Sequence, residues 1–264
     1  MIETIFSPIA VLGSMGILFG IGLSYAAKIF AVSVDEKVAL IRESLPGANC
    51  GGCGFPGCDG FAAAVAQGRA PIEACSVGGS EVSAKLGEIM GLSVAQTEKK
   101  AARVLCNGNC TAAVGKYDYY GIRDCVAAST IFAGHKSCSH GCLGFGTCLT
   151  ACPFGAIAIE NGVAVVNEAL CTACGKCVAA CPKKLIELVP VSGKYTVLCR
   201  SKDTGMATKK NCTVGCMGCM KCVKVCVPAA IDMEGPLAKI NPVKCTNCGE
   251  CAKVCPAKAI VMID

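Results

Sequence analysis

Three cysteines at two-residue gaps, with a fourth after three more residues, form the run that wraps a four-iron cluster and lends its last thiolate to a neighbouring cluster. The run occurs at Cys171, Cys174, Cys177 and Cys181, at Cys216, Cys219, Cys222 and Cys226, and at Cys245, Cys248, Cys251 and Cys255. A further copy, CSHGCLGFGTCLTACP from Cys138 to Pro153, is interrupted: Phe145 stands between Cys142 and Cys148 where a thiol is expected, and Cys152 closes it. The chemistry to which these residues point is one-electron transfer.

The chain holds 25 Cys in 264 residues. A disulfide framework is a poor account, because such scaffolds are short secreted domains and close triplets crowd thiols more than crosslinking needs. Structural zinc takes separated pairs. Clusters fit best, and their thiolates require a reducing compartment, so the cysteine-rich part is expected in the cytoplasm.

The crossed rule, in which the fourth cysteine of each run serves the other cluster, gives four sets. Two are Cys216, Cys219, Cys222 with Cys255, and Cys245, Cys248, Cys251 with Cys226. The third is Cys171, Cys174, Cys177 with Cys152. The fourth holds Cys142, Cys148 and Cys181 and lacks the thiol that Phe145 displaces; Cys138, four residues before Cys142, is the expected replacement. A three-cysteine site with a labile iron is the competing reading. His135 and His140 flank this region, and a solvated or supporting role suits them better than ligation.

A fifth set, Cys50, Cys53, Cys58 and Cys75, sits in PGANCGGCGFPGCDGFAAAVAQGRAPIEAC, where Gly and Pro fold the first three thiols into a loop. Zinc stays open as an alternative there, because this spacing is less diagnostic. Cys106, Cys110, Cys125, Cys199 and Cys212 remain. The first three, with either Cys199 or Cys212, are the expected ligands of a sixth [4Fe-4S] cluster.

The elements that must position these thiols are short. Shifted by 74 residues, nine cysteines from Cys125 to Cys181 fall on nine from Cys199 to Cys255, so the second half is a duplication. AIAIENGVAVV reads as a hairpin and the runs as loops entering one-turn or two-turn helices. The fold expected is α+β: a transmembrane helix over 1–30, a four-cysteine domain over 31–80, a linker helix and cysteine-bearing segment over 81–124, and ferredoxin-like units over 125–190 and 191–264. Such small units need cluster ligation for much of their folding free energy.

Thr4 to Ala27 carries no charge and is long enough to span a bilayer. Lys28, Lys37 and Arg42 follow it, which places the large C-terminal part in the cytoplasm by the positive-inside rule. Gly16, Gly20 and Ser24 form a small-residue stripe suited to another membrane helix. The net charge is +6, and Lys176, Lys183, Lys184, Lys221, Lys224, Lys253 and Lys258 lie in or beside cysteine runs. They fit either charge compensation or a docking face for an acidic electron carrier. With 5% aromatic residues, no Trp and no separate basic helix, nucleic acid is not an expected partner.

A membrane helix, then GANCGGCGFPGCDGFAAAVAQGRAPIEAC, then ferredoxin runs: this order resembles the B subunit of the Rnf ferredoxin:NAD oxidoreductase complex over essentially the whole chain, in a cluster-rich form with a duplicated unit. The resemblance implies a single-pass membrane protein that takes electrons from reduced ferredoxin and passes them to other subunits of a Na+ or H+ pump. The sequence has no dinucleotide fingerprint after a strand and no charged path in its one helix, so no NAD site, flavin site or ion channel is expected in this chain. A membrane-tethered electron-transfer partner of another anaerobic enzyme, and a cluster-based sensor, are the competing functional readings.

Overall fold

The computed structural model describes residues 2–30, 35–94 and 98–263, with side chains described from residue 11 onward. The expected boundary between helix and four-cysteine domain at residues 30 and 31, and part of the linker at 95–97, touch positions outside these residues. Helix α1 spans Ile2–Ile29, and Val11–Ile29 has a mean hydropathy of 1.4. Leu12, Ile17, Leu18, Phe19 and Leu23 are all exposed. A helix apolar on every side and covered by nothing needs lipid around it. It is the one helix among the described residues long and apolar enough to cross a membrane. No described residue lies within 4 Å of a Cβ placed at Gly16 or Gly20, which leaves the small-residue stripe open among the described residues.

The four-cysteine domain is a helical knot. Asp35 caps α2 (Glu36–Ser44) by accepting from Lys37 N–H, α3 runs Cys58–Ala66, and a 3-10 turn at Ile72–Ala74 leads into α4, Gly79–Met90. Ile41, Phe61, Val65, Ile72 and Leu86 form its core, each worth about 1.5–3 kcal/mol when fully buried. The Arg42 side chain bonds Asp59 at 2.6 Å and ties α2 to α3.

The rest consists of two units built alike. In the first, β1 (Lys100–Val104) precedes α5 (Cys125–Thr130), α6 (Thr147–Thr150), the hairpin β2 (Ile157–Glu160) and β3 (Val163–Val166), α7 (Lys176–Ala180) and β4 (Ile186–Pro190). In the second, β5 (Tyr195–Val197) precedes α8 (Gly205–Asn211), α9 (Lys221–Val225), the hairpin β6 (Ile231–Glu234) and β7 (Leu237–Ile240), α10 (Glu250–Lys253) and β8 (Ile260–Met262). Each unit has one hairpin, β2–β3 or β6–β7, and one antiparallel pair joining its first and last strands, β1–β4 or β5–β8. The β1–β4 pairing carries the first unit back to Lys100, 25 residues before the boundary expected from the 74-residue offset. The cores of both units are aliphatic residues mixed with cysteines.

Arg103 fastens the units together. Buried on β1, it bonds Glu168 at 2.7 Å and reaches across to Thr196 Oγ1 at 3.1 Å and the Gly193 carbonyl. Replacing one partner of a buried pair leaves the other charge unpaired. Arg103→Met is therefore expected to lower the unfolding free energy by about 3 kcal/mol or more, seen in denaturant melts. A change under about 0.5 kcal/mol would mean that Glu168 finds water there.

Candidate metal centres

Each run follows one backbone recipe. The residues on either side of the second cysteine adopt left-handed φ: Ala173 and Gly175 around Cys174, Gly218 and Met220 around Cys219, Asn247 and Gly249 around Cys248. The third cysteine then opens into a short helix: Cys177 on α7, Cys222 on α9, Cys251 on α10. Alternating handedness of this kind turns successive N–H groups inward, a concavity suited to an anionic cluster. The interrupted run keeps the recipe: Gly144 and Gly146 have φ of 74° and 81°, and Cys148 opens α6. Phe145 therefore sits in an intact loop.

Four cavities are lined by four thiols each. Cys216, Cys219, Cys222 and Cys255 line one, and Cys152, Cys171, Cys174 and Cys177 another, as the crossed rule requires. The third is lined by Cys125, Cys142, Cys148 and Cys181, and the fourth by Cys106, Cys138, Cys199 and Cys212. Their volumes are alike, about 380, 320, 350 and 400 Å³ in that order, open solvent included, so the two unforeseen sets have room for the same occupant. Cys50, Cys53 and Cys58 are near enough to Cys75 to add to the rise that burial causes in its pKa; Cys245 and Cys248 do the same for Cys251. By the repeat, Cys226 takes the place of Cys152 beside this last group.

Among the described residues no three Cys, His, Asp or Glu side chains converge on a single ion point. Four thiolates around one zinc would do so; thiolates that each hold a different iron of a cluster surround a volume instead. Main-chain N–H groups already point at sulfur. Leu185, Ala230 and Ala259 donate to the cysteines four residues before them, Cys181, Cys226 and Cys255, at 3.3–3.4 Å, and Ala102 donates to Cys171 at 3.3 Å. Bonds of this type tune cluster potential. Burial pushes the Cys148 thiol up to about 12 and the Cys177 and Cys222 thiols up to about 11. Cluster-free sites therefore hold protons that loading must release.

The thiol that shares a cavity with Cys142, Cys148 and Cys181 is not the one expected. Cys138 lines another cavity, and Cys125 completes the set with Cys142, Cys148 and Cys181. Asp124 explains why. It caps α5 through Val126 and Ala127 N–H and accepts from Thr147 Oγ1 at 2.7 Å, while Cys125 N–H donates to that same hydroxyl at 2.8 Å. This latch joins the start of α5 to the start of α6. The Phe145 ring packs 5.2 Å from Tyr119 and 5.0 Å from His135, beside the buried Cys125, Ala128 and Leu143.

The expected sixth set also changes. Cys106 follows β1 as Cys199 follows β5: Leu105 N–H bonds Leu185 O where Leu198 N–H bonds Ala259 O. Gly108 N–H reaches Cys106 Sγ where Ser201 N–H reaches Cys199 Sγ. Cys106, not Cys125, is thus the structural counterpart of Cys199, and Cys138 pairs with Cys212 at the 74-residue offset. The cavity between the units takes one equivalent pair from each. Cys106 is separated from Cys138 by 32 positions and Cys199 from Cys212 by 13; the 19 extra residues carry Cys110 and Cys125. Cys110 is exposed and lines none of the four cavities. His140 lines the junction and lies 3.6 Å from Asp203, while the Nδ1 of His135 is buried without a hydrogen-bond partner.

The four-cysteine domain meets the first unit at one close approach. A Cβ on Gly52 would lie 2.8 Å from the Cys174 carbonyl oxygen and 3.1 Å from its Cα, so only glycine lets the two thiol loops touch.

Residues 45–77 match the sequence family described as "Putative Fe-S cluster", and residues 135–182 and 215–259 each match one described as "4Fe-4S dicluster domain". The chain is 47% identical, over 91% of its length and 73% of the relative's, to the B subunit of the Na(+)-translocating ferredoxin:NAD(+) oxidoreductase complex of Acetobacterium woodii. It is 44% identical to the B subunit of the ion-translocating oxidoreductase complex of Methanosarcina acetivorans, over 92% and 93% of the two chains. For the B subunit of the proton-translocating ferredoxin:NAD(+) oxidoreductase complex of Clostridium ljungdahlii the identity is 42%, over 90% and 85%.

In Gly52→Val the new side chain must push the Cys50–Cys53 loop off Cys174. The loaded protein is expected to keep its iron while the magnetic interaction between two neighbouring clusters weakens in EPR. Spectra identical to those of the unaltered chain would show that the two loops do not set that separation.

Proposed function

The chain belongs to the B-subunit family of ion-translocating ferredoxin:NAD(+) oxidoreductase complexes, and from this we propose how it carries electrons. It is a membrane-associated, multi-cluster electron-transfer subunit of such a complex. Reduced ferredoxin and other membrane subunits are its partners. Bound [4Fe-4S] clusters supply one-electron exchange; the protein holds them in sequence, shields them from water and tunes them through N–H donors to sulfur.

We assign six clusters. Five use Cys50, Cys53, Cys58, Cys75; Cys152, Cys171, Cys174, Cys177; Cys125, Cys142, Cys148, Cys181; Cys216, Cys219, Cys222, Cys255; and Cys226, Cys245, Cys248, Cys251. The sixth uses Cys106, Cys138, Cys199 and Cys212 at the junction. What supports this reading above all is the grouping of thiols in fours around cavities of one size. Neighbouring sets are also in contact. Gly52 touches Cys174, α6 carries Cys148 and leads to Cys152, Cys142 N–H donates to Cys106 Sγ at 3.3 Å, and Cys216 is near enough to Cys199 to act on its pKa. The sets thus form one file from the four-cysteine domain near the membrane helix to the second unit.

Charge marks the far end of that file. Residues 191–264 hold 11 Lys+Arg against 5 Asp+Glu, whereas residues 1–190 hold 14 of each. The exposed thiols Cys219 and Cys248 lie in the basic part, among exposed Lys221, Lys224 and Lys244. An acidic ferredoxin is steered there, and electrons run toward the membrane. The positive charges after α1 support a cytoplasmic side for the clusters.

Iron analysis of the intact chain is expected to give about 24 irons, and about 20 would remove the sixth cluster. Cys125→Ala should lose about four irons and Cys110→Ala none; iron retained in Cys125→Ala would return the site to Cys138 or to three ligands. Stopped-flow reduction by ferredoxin should slow with added salt, and Lys221→Glu with Lys224→Glu should slow it roughly 10-fold at low ionic strength. Equal rates for this double variant and the unaltered chain would move the docking face elsewhere.

A further inference from the structure

We propose that Lys136 is the buried cation that sets the reduction potential of the junction cluster, an inference that rests on the six-cluster reading above. Lys136 is only 4% exposed. Its Nζ donates to the Gly108 carbonyl at 2.8 Å and the Gly162 carbonyl at 2.9 Å, and it lines the cavity of Cys106, Cys138, Cys199 and Cys212. Among the described residues it forms no ion pair with a carboxylate. Arg103, the other buried cation, has Glu168.

An ammonium buried with neutral carbonyls alone is costly, and a nearby anion must offset it. The anion available is the ring of thiolates and the cluster they would hold. The charge of Lys136 acts on sulfur on both sides, opposing the effect of burial on Cys142 and Cys212. Lys183 lines the neighbouring cavity of Cys125, Cys142, Cys148 and Cys181, and its Nζ donates to Ala133 O and Ser139 O. The nearby carboxylate, Asp203, lies 3.6 Å from His140 and acts on Cys138 in the sense opposite to a cation.

The duplication supplies an internal comparison. At the 74-residue offset Lys136 corresponds to Lys210 and Lys183 to Ala257; Lys210 is exposed. The junction is therefore symmetric in its thiols and asymmetric in its unpaired cation: Lys136 of the first unit lines it without a carboxylate, whereas Arg200 of the second unit, which also lines it, is paired with Glu187. Reduction adds one negative charge to a cluster. A fixed cation in a water-poor site favours that added charge, so the junction cluster is held at a higher potential than it would otherwise have. Standing in mid-file, it takes up an electron more readily than the same cluster would without Lys136.

The test is an EPR-monitored redox titration of the full chain, with iron content measured on the same samples. Lys136→Met is expected to retain its iron and to lower one midpoint until that cluster is at least tenfold less reduced at its former midpoint, about 59 mV for one electron. Lys210→Met is expected to shift none. Full iron with all midpoints unchanged in Lys136→Met overturns the proposal. If Lys136→Met loses iron, Lys136→Arg decides: recovery of iron and midpoint supports the charge role, and failure to recover reduces Lys136 to a packing residue and overturns it. A count of about 20 irons in the unaltered chain would defeat the six-cluster reading instead, a separate outcome.

Discussion

Everything past the four-cysteine domain depends on holding thiols apart around a small cavity while their backbone turns inward. Left-handed residues flanking the second cysteine of each run do this. Two of the positions are costly for an L-residue with a side chain: Met220 at φ 59° and Ala173 at φ 55° each cost about 1–2 kcal/mol. The unit cores, aliphatic residues interleaved with cysteine, have little apolar surface with which to offset that. Ligation must supply the difference, as in other small metal-dependent domains, and the buried thiols, whose pKa burial raises, keep their protons until the iron that they ligate displaces them.

The same constraint explains why loss of one thiol at Phe145 is tolerated. The loop keeps its φ pattern through Gly144 and Gly146, so the ring of ligands lacks an atom and not a shape. The 19 additional residues of the first unit bring α5 alongside, and the Asp124–Thr147 latch presents Cys125. That leaves Cys138 available to act as its counterpart Cys212 does. The insertion also builds the contact between units: Val114 N–H bonds Asn211 O and Thr213 N–H bonds Ala112 O, on the rim of the junction cavity.

Much of this could be read from residue types alone. Period and turn residues revealed the hairpin of each unit and the linker helix α4, and the spacing rule alone groups Cys216, Cys219, Cys222 with Cys255 and Cys171, Cys174, Cys177 with Cys152, as the cavities do. The thiol groupings in the structure depart from the expected ones for two reasons. A single offset of 74 residues assumes that both prefixes have equal length, and it therefore paired Cys125 with Cys199. The strand pairing β1–β4 shows that Cys106 holds that place, but five residues reading KAARV give no strong strand signal before their partner is known. Proximity in sequence likewise favoured Cys138 beside Cys142, whereas Cys125 arrives through a side-chain latch that no local pattern announces. The burial of Lys136 was equally hidden, since a lysine next to cysteines usually sits in water.

Iron-edge anomalous scattering from crystals of the loaded part that follows α1 would test the central claim most directly. The account predicts six separate peaks, one of them enclosed by Cys106, Cys138, Cys199 and Cys212 between the two units, with Cys125 against the peak of Cys142, Cys148 and Cys181. Five peaks with none at the junction, or Cys138 ligating the cluster of Cys142, would contradict it.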